Sequence, residues 1–442
     1  VGEASRAEKS LSNVEICEMT GSISSYCSTV AAMNKSRIMK SFHECWRLRL
    51  LFIVVSTIVW NLFVTIPSAN AGNQVIAWGE GKTNNPADVY DYGQAMVPSN
   101  LTNAVQVAAG RLHSLALKND GTLQGWGCDL FRQLDFPTGS NYVAIACGNV
   151  FSLALQTNGS VLAVGDADDY YATPTFVPIN LSNVVAIAGG HYHSLALKSD
   201  GTVVAWGNST NPADFGTDFN YGQSLVPAGL SNAVAIAAGG YHSLALKGDG
   251  TVVAWGSNVY GQTNVPSGLS NVVAITAGEY YSLALDANGK LAAWGDNTTG
   301  QANIPSGLSN VVAIAAGGFH VLALKGDGTV VAWGSNAYGQ TNVPPGLSNV
   351  VQIAAGFNDS LALVDSGPPA VKVPLSISSS RTNGLTLALS SRNGRVYRLE
   401  YKNSLTDPKW NASQLQAGVD GVLQFKDSAP STAQRFYRAT QW

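Results

Sequence analysis

Six histidines, five cysteines and a few short aspartate runs are the residues of this 442-residue chain whose types could do chemistry. Their spacing argues against most of it. His113, His193, His242 and His320 occupy one position of a recurring segment, which Phe151, Tyr281 and Asp359 fill elsewhere. A catalytic imidazole needs its own nucleophile and its own orienting carboxylate. A residue repeated at equivalent positions reads instead as a packing and hydrogen-bonding element, and within the repeats only His191 lies off that pattern. Asp166, Asp168 and Asp169 share one loop and resemble a calcium-binding set, but the glycine and the terminal bidentate glutamate of an EF-hand are missing. The cysteines show no zinc spacing. Cys128 and Cys147 are the pair an exported chain could join, and one bridge is not a disulfide framework. No catalytic, cofactor or metal residue is assigned, so a non-enzymatic binding scaffold without cofactor is expected.

The elements that would position a site begin after an apparent export signal. Lys40, Arg47 and Arg49 precede an apolar run from Leu50 to Ile66, and Ala69-Asn70-Ala71 supplies a small-x-small cleavage pattern. The expected mature start is Gly72, with residues 33–71 as signal peptide and residues 1–32 as a non-native or untranslated upstream segment. Retention of the run as an anchor is the alternative, since it approaches the ~18–20 residues that span a bilayer. Cleavage predicts a secreted, periplasmic or cell-surface protein with no stable membrane span.

Residues 72–366 are dominated by an internal repeat. Gly110, Gly148, Gly190, Gly239, Gly278, Gly317 and Gly356 open seven units that continue as HSLAL or a close variant. A second landmark, Trp-Gly, stands at Trp78, Trp126, Trp206, Trp255, Trp294 and Trp333, with Val164-Gly165 as the seventh. Asp-Gly or Asn-Gly pairs between the two landmarks suit tight hairpins. The landmarks are out of phase: the first Trp-Gly strand precedes any SLAL strand, and the last SLAL strand lacks a Trp-Gly partner. A ring pairs these orphans, placing Gln74–Gly79 against Ser360–Leu363 and removing exposed sheet edges. The predicted fold is all-β, a seven-bladed β-propeller closed by its N-terminal strand. Each blade is expected to hold four strands, the fourth at TNVP or its equivalents.

The wording G-x-x-H-S-L-A-L, D-G-T-V-V-A-W-G and Y-G-Q resembles the regulator-of-chromosome-condensation repeat, with seven matches over about two thirds of the chain. N-V-P-x-G-L-S-N-V-V-A-I-A-A-G is similar to the bacterial exported members, among them a secreted propeller that inhibits β-lactamases. That resemblance implies a contact surface on one propeller face. The Tyr-Gly-Gln triplets at Tyr92, Tyr221, Tyr260 and Tyr338 read as consensus turns with a structural glutamine.

Beyond a linker at residues 367–374, residues 375–442 show shorter alternating runs and are read as a small β-sandwich-like module. Residues 72–366 carry 8 Lys and Arg against 19 Asp and Glu, net −11, and residues 367–442 carry 10 against 4, net +6. An acidic propeller repels nucleic acid, whose binding rests on neutralising phosphates. Strand parity puts the turns before SLAL and after Trp-Gly on one face, and that face varies from blade to blade. The second residue after each opening glycine reads Leu112, Val150, Tyr192, Tyr241, Tyr280, Phe319 and Asn358. Beside them stand Arg111, His191, Glu279 and Phe357, and two long insertions there carry Tyr90 and Phe219. Aromatics on tight turns are rigid contact anchors; filling the mouth of the central channel is their other reading. The family resemblance implies Tyr192, Tyr241, Tyr280 and Phe319 as interface residues, while the insertions depart from the inhibitor's short loops and leave the target open. The expected partner of this monomer is an extracellular or periplasmic protein. A glycan is the alternative, and guanine-nucleotide exchange a remoter one.

Overall fold

The computed structural model describes residues 73–83, 91–165, 174–208 and 220–365, together with strands between residues 375 and 441. The upstream segment, the apparent signal, Asp166, Asp168 and Asp169 lie outside the described residues.

Seven antiparallel three-stranded sheets form the blades. Blade 1 consists of Ala104–Ala109, His113–Lys118 and Leu123–Gly127, and blades 2 to 6 repeat this order. Blade 7 joins Val350–Ala355 and Asp359–Val364 to the strand Gln74–Gly79 from the other end of the repeat region. That strand pairs from Gln74 opposite Val364 to Gly79 opposite Asp359, so the ring closes as the two unpaired landmarks require. The second strand of each blade is buried along five consecutive residues. A strand covered on both faces by neighbouring blades has no solvent side to alternate with, so Leu-Ala-Leu runs unbroken and the polar residues that open the strand must be hydrogen-bonded or neutral.

The fourth strand expected at TNVP is absent among the described residues: that segment forms turns. In blade 4's connection Val265 N donates to Thr263 O at 3.0 Å and Leu269 N to Pro266 O at 3.2 Å. Local bonds consume these groups, and Pro266 has no N–H for a ladder.

The blades are locked by side chains at the seams. His113, His193, His242 and His320 each place Nε2 2.9 Å from the hydroxyl of Ser152, Ser243, Ser282 or Ser360 in the next blade. Ser243, Ser282 and Ser360 donate their single proton to the main-chain carbonyls of Gln223, Gln262 and Gln340. Those hydroxyls therefore accept from imidazole N–H, which fixes the Nε2–H tautomer of His193, His242 and His320. The same three carbonyls also accept the indole N–H of Trp255, Trp294 and Trp78 at 2.8–2.9 Å. Burial holds His113 down at about 4 and the other three at about 3, so all are neutral. Where blade 5 has Tyr281 for histidine, blade 6 has Val321 for serine, and the phenol donates to the His320 carbonyl at 2.5 Å. The opening glycines make this approach possible. A Cβ at Gly110 would stand 2.5 Å from the His113 ring and 2.6 Å from the Gly148 carbonyl.

At the closing seam Asp359 replaces histidine. It is fully buried, neither carboxyl oxygen has a hydrogen-bond partner, and burial together with the nearby Glu80 carboxylate pushes its pKa well up. Other groups bridge that seam. Gln352 Oε1 accepts from Val107 N at 3.0 Å, and Phe357 N donates to Gly110 O at 3.0 Å. Val75, Leu361 and Leu363 pack there on Val107 and Trp126.

The C-terminal module contains the sheet Leu375–Ser380, Gly384–Ser390 and Val422–Asp427, and a second sheet around Val396–Lys402 and Phe436–Gln441. Leu387, Leu389, Leu423 and Phe425 of the first meet Tyr397 and Leu399 of the second in one core, a small sandwich.

His242→Ala removes a buried ring and leaves Ser282 without its donor, and is expected to cost about 2–4 kcal/mol in urea unfolding. His242→Phe, the solution blade 2 uses at Phe151, should cost less than about 1.5 kcal/mol. Each depressed histidine contributes stability that is present above its unfolded value, ~6.5, and is lost as pH falls below it. Unfolding free energy should therefore drop steeply below about pH 6.5, and His242→Phe should shallow that slope by about 1.4 kcal/mol per pH unit. Asp359 has the opposite sign: its contribution is present in acid and lost as pH rises above the unfolded carboxylate value. Asp359→Asn should raise the melting temperature at pH 7 and raise it less at pH 5.

Candidate partner-binding face

The end of each third strand lies beside the start of the second, as in Gly127 opposite His113 and Gly256 opposite His242. The turns after the opening glycines and the connections after Trp-Gly thus share one face. On the other face Lys198–Asp200, Lys247–Asp249 and Lys325–Asp327 pair at 3.0–3.2 Å across successive hairpins, a monotonous surface.

Residues just after the opening glycines ring the mouth of an axial cavity of about 80 Å³, lined by Arg111, Asn149, His191, Glu279 and Phe357 and by strand-end residues such as Ala109 and Cys147. Main-chain N–H groups at these positions bond to the next blade: His191 N to Gly240 O and Glu279 N to Gly318 O, both at 3.2 Å. The turns are held as a rigid collar.

His191 is the centre of the face. Its Nε2 lies 2.7 Å from Glu279 Oε2, and its ring packs against Tyr241, Tyr192 and Phe357 with centroids 5.4, 6.0 and 6.1 Å away. The pair reaches from blade 3 to blade 5 across blade 4, where Gly240 leaves the space. A Cβ at Gly240 would stand 3.0 Å from the Glu279 carboxylate and 2.8 Å from its carbonyl oxygen. Phe357 in turn meets Phe319 at 5.7 Å and lies under the Arg111 guanidinium at 4.7 Å.

Tyr192, Tyr241 and Tyr280 form a strip over blades 3 to 5. Tyr241 and Tyr280 stack at 5.4 Å and 11°, and Tyr192 lies 5.9 Å from Tyr241. Tyr221 and Tyr260 extend the strip outward, 5.6 Å from Tyr241 and 5.0 Å from Tyr280. Burial first, and then the charge of Glu279, push the hydroxyls of Tyr241 and Tyr280 up, so both stay protonated. The expected ring of aromatics is an off-axis strip: His191 and Phe357 line the channel mouth, Tyr241 is buried beside it, and Tyr221 and Tyr260 are exposed. Asn358 is buried and donates to Glu80 at 2.8 Å. Tyr90 and Phe219 lie outside the described residues.

The exposed positions of Tyr221 and Tyr260 beside the strip were not legible in the sequence, because their triplet reads as a turn. The turn does need its glutamine: Gln262 is buried and Oε1 accepts from Tyr260 N at 2.9 Å. It does not need the phenol, since Thr299 fills the equivalent place with the same bond to Gln301. That substitution in Thr-Thr-Gly-Gln was the available signal. Phe131-Arg132-Gln133 is a disguised member of the same turn, with Phe131 N bonded to Gln133 Oε1. Cys128 and Cys147 are free thiols, and burial pushes Cys147 up. Among the described residues no group of three or more His, Cys, Asp or Glu is placed to hold a metal ion.

A closed seven-bladed ring with one uniform and one variable face defines the class of protein. The RCC1-like domain model matches residues 74–367, more than half of the chain, and the chain belongs to that family. Prp20p from Saccharomyces cerevisiae, solved in a study of its binding to Gsp1p and histones, shares the fold with TM-score 0.54 at 20% identity over 67% of this chain and 92% of that one. The yeast RCC1 (Prp20) bound to Kap60 gives 0.54 at 21% identity over 68% and 90%. Human WBSCR16 gives 0.51 at 19% identity over 67% and 100%. No curated protein matches the chain by sequence.

Gly240→Ala is expected to displace the Glu279 carboxylate and break its contact with His191. Imidazole ¹⁵N shifts of His191 should change, with little effect on the seam histidines.

Proposed function

We propose that this protein is an exported, non-enzymatic binding scaffold whose variable propeller face engages a protein partner outside the cell or in its envelope. The observation that carries this reading is the tyrosine strip. Five neighbouring phenol rings stand on turns fastened by inter-blade hydrogen bonds, and Tyr221 and Tyr260 are 39% and 50% exposed. Rigid aromatics lose little conformational freedom on binding and supply large contact area. Seam histidines, tryptophans and serines do the blade packing, and of the strip only Tyr241 is buried, so its exposed members are not explained by the needs of the core.

Two further features support the reading. The apolar run and cleavage pattern before Gly72 are those of export, and the net −11 of residues 72–366 disfavours nucleic acid. Family members with this fold are described with protein partners, Gsp1p and histones for Prp20p and Kap60 for the yeast RCC1. The same strip would accept the faces of sugar rings, and a glycan array separates that alternative.

Replacing Tyr192, Tyr260 and Tyr280 together by alanine should abolish capture of the partner from the native envelope and medium while leaving the circular dichroism spectrum intact. Undiminished capture by the triple variant would overturn the assignment of this face.

A further inference from the structure

The tyrosine sector is strongly one-sided in charge. Between Arg132 and Lys325 the chain has three basic residues, Lys198, Lys247 and Lys290. All three lie at the hairpins of the opposite face, where Lys198 and Lys247 pair with Asp200 and Asp249. The variable face of blades 3 to 5 therefore presents no lysine or arginine among the described residues. It does present Glu279, only 6% exposed, packed against the backbone of Gly240 just before Tyr241. The influence of that carboxylate reaches Tyr241, Tyr280 and Tyr281, whose hydroxyls it helps to hold protonated after burial, the larger cause.

Aromatic faces are the negative ends of a quadrupole and attract cations, more strongly where water is excluded. Here several such rings pack together, stacked, tilted or edge-on, in the field of the buried Glu279 carboxylate next to Tyr280 in the chain. The same protein face already contains one solution of this kind, the Arg111 guanidinium 4.7 Å over the Phe357 ring. Over Tyr221, Tyr260 and Tyr280 no such guanidinium lies among the described residues.

We propose that the accessible part of the strip, Tyr221, Tyr260 and Tyr280, receives an arginine side chain of the protein partner, stacked on the phenol rings with Glu279 as the nearby counter-charge. This rests on the binding-scaffold reading and names the chemistry its partner must bring. Arginine fits better than lysine because a planar guanidinium stacks on a ring face, whereas an ammonium is a compact, strongly hydrated charge.

The test uses the full chain and three synthetic probes, hexa-arginine, hexalysine and hexaglutamate, with titration calorimetry at low and moderate salt. Hexa-arginine should bind more tightly than hexalysine, and hexaglutamate should not bind. Tyr260→Ala and Tyr280→Ala should each weaken hexa-arginine by about three- to thirty-fold, the span of a cation–π contact. Tyr260→Phe, which keeps the ring face, should restore most of it, and Glu279→Gln should weaken it several-fold. Equal binding of both basic peptides with no effect of the tyrosine variants would mean diffuse attraction and overturn the proposal. If the native partner is lost from the tyrosine variants yet ignores Glu279→Gln and hexa-arginine competition, the arginine assignment fails while the scaffold reading stands.

Discussion

One carbonyl per blade organises the ring. In blades 4, 5 and 7 the glutamine carbonyl of the incoming connection accepts both an indole N–H and a serine O–H, and the serine in turn accepts from the previous blade's histidine. Every group in that relay is buried, so each would be costly if left unpaired. The relay ties three things together: the third strand through tryptophan, the second strand through serine, and the neighbouring blade through histidine. It also forces glycine at the start of each unit, because a side chain there would occupy the imidazole's space. Packing alone would leave blades free to slide on flat apolar faces. Directional bonds at fixed depth set their rotation about the axis.

The relay is incomplete where the chain closes, and the departures there compensate one another. Asp359 does not bond Ser114 as a histidine would, and the Ser114 hydroxyl donates to the Gln94 carbonyl at 3.1 Å. A side-chain amide takes over part of the work: Gln352 makes contact with both the N–H and the carbonyl of Val107 in blade 1. Gln106 spans blades 1 and 2 in the same manner, its amide meeting Ile145. An amide side chain imitates a peptide group and so extends a ladder between inner strands that are otherwise too divergent to pair. The ring is thus sealed by different chemistry near its ends than in blades 3 to 6, where imidazole and phenol serve.

Periodicity made the ring legible, since two landmark series with one orphan each have a single tidy solution, and strand parity then assigned the faces. What repetition could not tell was which consensus residues serve the turn and which merely ride on it. Gln262 and Tyr260 are equally regular in sequence, yet the first is buried in its own loop and the second stands in solvent beside Tyr280. The fourth strand failed for a related reason: Val265 alternates like a strand residue, but its N–H and its neighbours' carbonyls are spent in turns. The pair of His191 and Glu279 was visible only as two residues off the pattern. Their meeting across blade 4 depends on Gly240, whose lack of a side chain carries no periodic signal.

A surface evolves separately from its support only when substitutions on it leave the support's bonds intact, and this geometry meets that condition. The residue after each opening glycine bonds the next blade through its main chain, as in Asn149 N to Gly190 O, His191 N to Gly240 O and Glu279 N to Gly318 O, so the collar does not call on its side chain. The next residue contributes only its carbonyl, which accepts from the first residue past Trp-Gly: Tyr192 O from Asn208 N, Tyr241 O from Ser257 N and Phe319 O from Ser335 N, all at 2.7–2.8 Å. Backbone groups hold position and side chains are left over. The clustering of phenols on blades 3 to 5, close to the buried Glu279, is therefore not imposed by the backbone bonds that hold the ring.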